Sequence, residues 1–348
     1  MAEPSVAELD WKPDILGAGY SQVVLDLGND PDGEGTVEAV LVRREPRTRE
    51  PRTGESRTGE TPPEEARGAV LYVHGFTDYF FQTDLADFFA ARGLRFHALD
   101  LRKCGRARKP GQTAHYASGL ALYDDELDRA LAIVTAAHPG RPVVLVAHST
   151  GGLIVPLWLN RRRLAGNPAR DVVALVLNSP WLDLQGGTTL RGPVTQLLRV
   201  LSRVSPFRVI SVRPGIYGQT LHVSGTGEWD YDLELKPLAG FPVTVGWLNA
   251  IRRAQAKVHH GIETGVPTLV LRSARSGRSG RSGRDTDADR VDLVIDTSQT
   301  ARWASSLGSQ VTDVPVRDAR HDVFLSQPEP RASAYEALGD WLERRLSK

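Results

Sequence analysis

Residues 142–154, PVVLVAHSTGGLI, set an unbroken run of β-branched and aliphatic residues directly against a serine and then against an apolar helical pattern. A strand that becomes a helix in so few residues has room only for small neighbours. Here Ala147 and Gly151 lie two residues to either side of Ser149. This is the pattern of a nucleophile elbow, a strained strand-to-helix turn whose serine hydroxyl projects above the sheet edge. The usual form is Gly-x-Ser-x-Gly, so Ala147 adds one methyl. The helix beginning at Gly151 aims its N-terminus at the serine, so the Thr150 amide can face a developing oxyanion with the helix dipole behind it. A serine that only caps the helix explains neither Ala147 nor the Gly151-Gly152 pair.

The rest of the chain alternates around this corner. Strand patterns at 20–28 and 37–45 flank an Asn-Asp-Pro-Asp-Gly turn and predict an N-terminal hairpin. Strand-like 69–75, helix-like 83–93, strand-like 95–101, a helix at 119–137, strand 142–148, helix 151–163 and strand 171–179 follow. The near-continuous Val/Leu strands suit a parallel sheet buried on both faces. Alternation stops after residue 183 and resumes at 266–273, followed by helix 298–308, strand 310–316 and helix 331–346. We therefore assign 1–183 and 266–348 to a core with a mostly parallel central sheet and helices on both faces. Residues 184–265 are assigned to a helical cap, carried by the patterns at 194–204 and 245–258. Two polar segments rich in Arg, Ser, Gly or Pro, 44–64 and 273–284, are expected to be flexible surface loops.

Composition excludes several classes. With 348 residues and 41% hydrophobic content, the chain can bury a sizeable core. A formal net charge of +1 offers no global field for nucleic acid or anionic lipid. The single cysteine, Cys104, allows no intrachain disulfide. The start MAEPSVAELDWKPD lacks the basic and apolar regions of a secretion signal, and no apolar run is long enough for a membrane span. The expectation is a cytoplasmic protein with a small-molecule acyl substrate, no nucleic-acid partner and no stable membrane insertion. Its oligomeric state is open.

A serine nucleophile needs a base, and the base needs an orienting carboxylate. Beyond the elbow strands the chain offers His222, His259, His260 and His321. His321, in RDARHDVFL, lies just after strand 310–316 and before the last helix, where a triad histidine belongs. Adjacent His259 and His260 do not share a helix face and have no further ligands at metal-binding spacing. His148 adjoins the serine and is expected to pack or orient. The carboxylate should follow strand 266–273, with Asp285, Asp287, Asp289, Asp292 and Asp296 as candidates. Asp296 precedes a helix start and suits a cap. Asp292 precedes an apolar Leu-Val-Ile run that would anchor its loop, and is the choice for the triad.

These motifs, with VLYVHGFTDY, FHALDLRKCGRAR, GVPTLVLRS and ARHDVFLS, resemble the α/β-hydrolases of the serine aminopeptidase-like group, which includes monoacylglycerol lipases and lysophospholipases. The resemblance spans residues 67–346. It implies the α/β-hydrolase fold with a helical cap, ester hydrolysis, and an oxyanion hole built from the Phe76 and Thr150 amides. No metal or organic cofactor is implied. Lys103-Cys104-Gly105 stands where the family commonly has Gly-His-Gly, so that loop is altered and Cys104 reads as a loop substitution. Ser149, Asp292 and His321 then form the triad, and Tyr79 and Phe80, crowding the oxyanion loop, are candidates to contact substrate. The same triad suits a thioesterase, an acyltransferase or an aminopeptidase. For the last, Glu228, Asp230 and Asp232 are the acidic residues that could recognise a free amine. A catalytically dead hydrolase scaffold used for binding is the reading from a different class.

Overall fold

The short apolar runs become the strands of one nine-stranded sheet, in the order β1-β2-β3-β5-β4-β6-β7-β10-β11. These are β1 (Lys12–Pro13), β2 (Tyr20–Asn29), β3 (Thr36–Arg44), β4 (Gly68–Val73), β5 (Leu94–Asp100), β6 (Val143–His148), β7 (Val172–Asn178), β10 (Thr268–Ser273) and β11 (Val311–Val316). The N-terminal hairpin β2–β3 is antiparallel and joins β5 in antiparallel register. From β5 through β4, β6, β7 and β10 to β11 every pairing is parallel. The computed structural model describes residues 9–46, 66–184, 196, 198–211, 216–277 and 287–346.

Both sheet faces are covered, which is why the strands read as continuous rather than alternating hydrophobic runs. Successive side chains point to opposite faces. Leu71, Val73, Leu145 and Leu175 enter one cluster with helix α2 (Asp124–Ala137) and helix α3 (Gly151–Leu164). Val70, Tyr72, Val144 and Val176 enter the other, with helix α1 (Thr83–Ala90) and the C-terminal helix Pro328–Leu346. Each such Val or Leu stabilises the fold by roughly 1.5–3 kcal/mol. No helix among the described residues is long and apolar enough to cross a membrane.

The insertion differs from the expected single helical cap over 184–265. Helix Val245–His259 packs against the core helix α3, with Trp247, Ile251, Ala254 and Val258 in the same cluster as Leu145 and Leu175. It belongs to the crossover between parallel β7 and β10, which must pass over a sheet face. Its amphipathic stripe looks the same in sequence whether it faces a cap or a core helix. The described part of the insertion proper contains helical residues 198–204, helix Ile216–Leu221, and an antiparallel pair, β8 (Val209–Ser211) with β9 (Val243–Thr244). It is thus not purely helical.

The two expected loops are also smaller than their sequence limits. Residues 47–65 and 278–286 lie outside the described residues. Arg44, inside the first assigned loop, is in β3 and pairs with Asp87 at 2.7 Å. Ser273 ends β10, and Ser276 forms an isolated parallel bridge with Asp292.

Candidate active site

At the end of β6 the chain turns through Ser149, whose φ is +51°. A non-glycine residue in this left-handed region is strained, and such strain persists where the surroundings over-determine it. The Ser149 amide donates to Asn178 O at 2.9 Å, and its carbonyl accepts from Gly152 at 3.0 Å and Trp181 at 3.1 Å. Gly151 is small for a reason the sequence did not reveal. A Cβ there would stand 2.5 Å from His74 O and 2.8 Å from Val73 O, so it is the neighbouring strand β4, not Ala147, that forbids a side chain. A Cβ on Gly75 would lie 2.8 Å from Ser149 Cβ, which brings the loop after β4 directly over the serine. That loop carries Phe76. Among the described residues, neither the Phe76 nor the Thr150 amide donates to a backbone carbonyl.

His321 follows β11, and its Nε2 lies 2.9 Å from Ser149 Oγ. Its Nδ1 lies 2.8 Å from Asp292 Oδ2. Asp292 is fully buried. Its other oxygen, Oδ1, accepts from the Val294 and Ile295 amides at 2.7 and 2.9 Å. Its backbone donates to Arg275 O and accepts from Gly277 N. The carboxylate is thereby fixed on both sides, with one oxygen left for the imidazole. Asp296 does a separate job: its Oδ1 accepts from Ser298 N at 3.1 Å and caps the helix Thr297–Ala304. Asp289 pairs with the buried Arg320 guanidinium, Asp287 lies 3.7 Å from Arg275, and Asp285 is outside the described residues.

The loop carrying His321 is held from two directions. Asn178, at the end of β7, donates from Nδ2 to Asp322 Oδ1 at 2.6 Å and accepts Val323 N–H at 3.2 Å. From the insertion, Tyr217 Oη accepts the Asp322 amide at 3.0 Å, and its ring stands edge-on to His321 with centroids 5.7 Å apart. Sequence reasoning missed Tyr217, and no local pattern marks it. His148 lies beside the triad, its ring 4.9 Å from that of His321, with Nδ1 3.2 Å from Asn178 O. Burial holds its pKa below the ordinary histidine value, so it favours the neutral form.

The Ser149 and His321 side chains open into a cleft of about 950 Å³. Phe76, Trp181, Trp247, Tyr217, Tyr231 and Phe241 supply its aromatic walls. Phe76 and Trp247 lie against each other at 4.1 Å between centroids, and Trp181 continues the wall at 5.8 Å. Tyr79 and Phe80, expected to contact substrate, do not line it. Phe80 is in the core against Tyr72 and Phe96, and buried Tyr79 accepts the Asp232 amide at 2.8 Å. The loop turns their side chains away from the serine, a direction that proximity in sequence does not encode.

The remaining candidates fall elsewhere. Glu228 pairs with Arg331 at 3.3 Å, Asp230 is 88% exposed at its side chain, and none of Glu228, Asp230 and Asp232 lines the cleft. His259 stacks on Trp303 at 3.8 Å, and His260 is exposed. His222 bonds Ser224 Oγ at 2.7 Å within the insertion. Cys104 is buried, with Sγ 3.2 Å from Arg102 O; burial raises its thiol pKa well above the usual value, which opposes a nucleophilic role. Among the described residues no group of His, Cys, Asp and Glu is arranged to hold a metal ion.

The parallel sheet, the elbow after β6, and the Ser-Asp-His order on the loops after β6, β10 and β11 define an α/β-hydrolase. Residues 64–277 match the serine aminopeptidase S33 family, and the chain belongs to it. Solved structures share the fold at low identity. A soluble variant of the Saccharomyces cerevisiae monoglyceride lipase is 15% identical, covers 97% of this chain and 95% of its own, and has a TM-score of 0.59. The Paleococcus ferrophilus monoacylglycerol lipase is 18% identical, with 80% and 95% covered and a TM-score of 0.58. A thermostable carboxyl esterase from Bacillus coagulans is 13% identical, with 93% and 99% covered and a TM-score of 0.60. None of the curated proteins matches the chain in sequence.

Proposed function

We propose that the protein hydrolyses carboxylic esters of lipid-like or small acyl groups through an acyl-enzyme. The observation that carries this reading is the line from Asp292 through His321 to Ser149, with contacts of 2.8 and 2.9 Å, at the floor of an aromatic-walled cleft. Ser149 Oγ attacks the acyl carbon while His321 Nε2 takes its proton. The carbonyl oxygen, now negative, accepts from the Phe76 and Thr150 amides at the N-terminus of α3. Collapse expels the alcohol, protonated by His321, and leaves acyl-Ser149. His321 then draws a proton from water, and the same steps in reverse order release the acid. Asp292 keeps the Nδ1 proton in place and stabilises the imidazolium.

The cleft chemistry favours an ester over an N-terminal peptide bond. Recognition of a free ammonium needs carboxylates, and among the described residues lining the cleft the one carboxylate is Asp296, whose Oδ1 is already accepting from Ser298. The aromatic walls instead suit an apolar acyl or alcohol group. A panel of p-nitrophenyl and glyceryl esters, acyl thioesters and aminoacyl anilides tests this. The expected result is the highest kcat/KM on esters with an apolar acyl chain. Preferential cleavage of the aminoacyl anilides would contradict it.

A further inference from the structure

We propose that Lys236 is a positioning residue for the oxyanion hole. Carried by the insertion, it latches the Phe76–Asp78 loop so that the Phe76 amide points at the reacting carbonyl. The proposal deepens the ester-hydrolase reading and rests on it.

Five contacts lead there. Lys236 Nζ donates to Asp78 Oδ1 at 2.7 Å and to Thr77 O at 3.3 Å. From the same segment of the insertion, the Phe241 amide donates to Thr77 Oγ1 at 2.9 Å. The ammonium lies 5.5 Å from the Phe81 ring centroid and 5.8 Å from that of Tyr231, within cation–π range of both. Thr77, directly after Phe76, has φ +54°, a conformation that costs a β-branched residue more than most. The strain therefore needs an outside restraint, and the insertion supplies it on the Thr77 carbonyl, the Thr77 hydroxyl and the Asp78 carboxylate.

Asp78 is 1% exposed, and its Oδ2 is buried without a hydrogen-bond partner among the described residues. Burial works against its ionisation, but Lys236 outweighs this and lowers its pKa, so the pair is ionic. Without Lys236 the carboxylate would be buried and unpaired, a state the loop escapes by moving. Phe76 precedes this carboxylate by two residues and would move with it. A latch from the insertion couples the cap to the oxyanion hole, whereas α3 fixes the Thr150 amide independently.

Lys236 also lines the cleft, so a direct contact with substrate is the competing role, and the test separates the two. The second-order rate of Ser149 phosphonylation by a small alkyl fluorophosphonate, followed by intact mass, would be measured for wild type, Lys236→Met, Asp78→Asn, the double variant and Lys236→Arg, alongside kcat and KM on one ester. The latch predicts that both single variants and the double slow by a common factor of about 10–100, below the full cost of deleting an oxyanion donor. It predicts kcat falling with KM nearly unchanged, and substantial rescue by Lys236→Arg. The double variant removes both charges together, so it keeps the test valid if Lys236→Met does not fold. Wild-type rates in the double variant, multiplicative losses from the two single variants, or a loss confined to KM would overturn the latch. Failure of the wild-type protein to label at Ser149 would instead overturn the ester-hydrolase reading itself, before any Lys236 variant is made.

Discussion

His321 Nδ1 and Asp292 Oδ2 stand 2.8 Å apart although 29 residues separate them, and Asp292 reaches that position because its backbone pairs with the Arg275–Gly277 segment after β10. Asp292→Asn keeps an oxygen for the Val294 and Ile295 amides but presents an amide to the imidazole, which favours the wrong tautomer. The expected result is a fall of roughly 10⁴ in kcat with a normal melting temperature. Asp296→Ala should do the reverse, losing about 1 kcal/mol of stability as a helix cap goes while turnover persists. Exchange of the two phenotypes, with turnover and melting read on the same samples, would contradict the assignment.

Tyr217→Phe removes the acceptor for the Asp322 amide beside His321. A buried N–H left unpaired costs about 1–3 kcal/mol, and the loop carrying the base can relieve that cost by shifting. We expect kcat/KM to drop about 10-fold, in line with roughly 1.4 kcal/mol, with the cleft otherwise intact. Steady-state kinetics on one ester decide this, and an unchanged kcat/KM would show that the insertion does not position His321.

Gly151→Ala places a methyl 2.5 Å from His74 O, a backbone atom that cannot rotate away. Overpacking at such a point costs about 3 kcal/mol, and the elbow would open between β4 and β6. Calorimetry should show a melting temperature lower by about 5 °C or more, together with loss of turnover. A variant that melts and reacts like wild type would mean that the turn relaxes without cost.

The fold, and the meeting of Ser149, Asp292 and His321 in the candidate site, could be read from sequence because their signals are local. Continuous Val/Leu runs reported a sheet covered on both faces, the small residues around Ser149 reported a tight turn, and His321 was found by its place after the last strand. What could not be read depends on tertiary direction. Tyr79 and Phe80 neighbour the oxyanion loop in sequence, but Phe80 faces the core and Tyr79 packs against the insertion. Trp181, Tyr217, Lys236 and Trp247 come to the cleft from other parts of the chain, with no pattern that marks them. Helix Val245–His259, within the residues assigned to the cap, packs against core helix α3, and its apolar stripe would serve either setting. The polar segment after β10 reads as a flexible surface loop, yet Ser276 accepts the Thr297 amide at 2.7 Å and bridges to Asp292.

Stability should fall on acidification below about pH 6.5. Burial lowers the pKa of His97 to about 3, and lowers those of His115 and His148 as well. Each is neutral in the fold and takes up a proton more readily once unfolded. The stability they confer is therefore fully present above the unfolded value of about 6.5 and is lost as the pH drops towards the folded values. Each group contributes a slope of up to about 1.36 kcal/mol per pH unit. Denaturant titrations between pH 7 and pH 4.5 should show this fall, and a neutral, isosteric replacement of His97 should reduce the slope. A flat profile would contradict the buried, neutral state of these rings.

The central claim is that Ser149 forms the acyl-enzyme, and the most direct measurement is turnover of an apolar p-nitrophenyl ester by wild type and Ser149→Ala at equal, folded concentration. The expected result is a loss of about 10⁴–10⁶ in kcat for the variant at an unchanged melting temperature. Wild-type turnover by folded Ser149→Ala would contradict it.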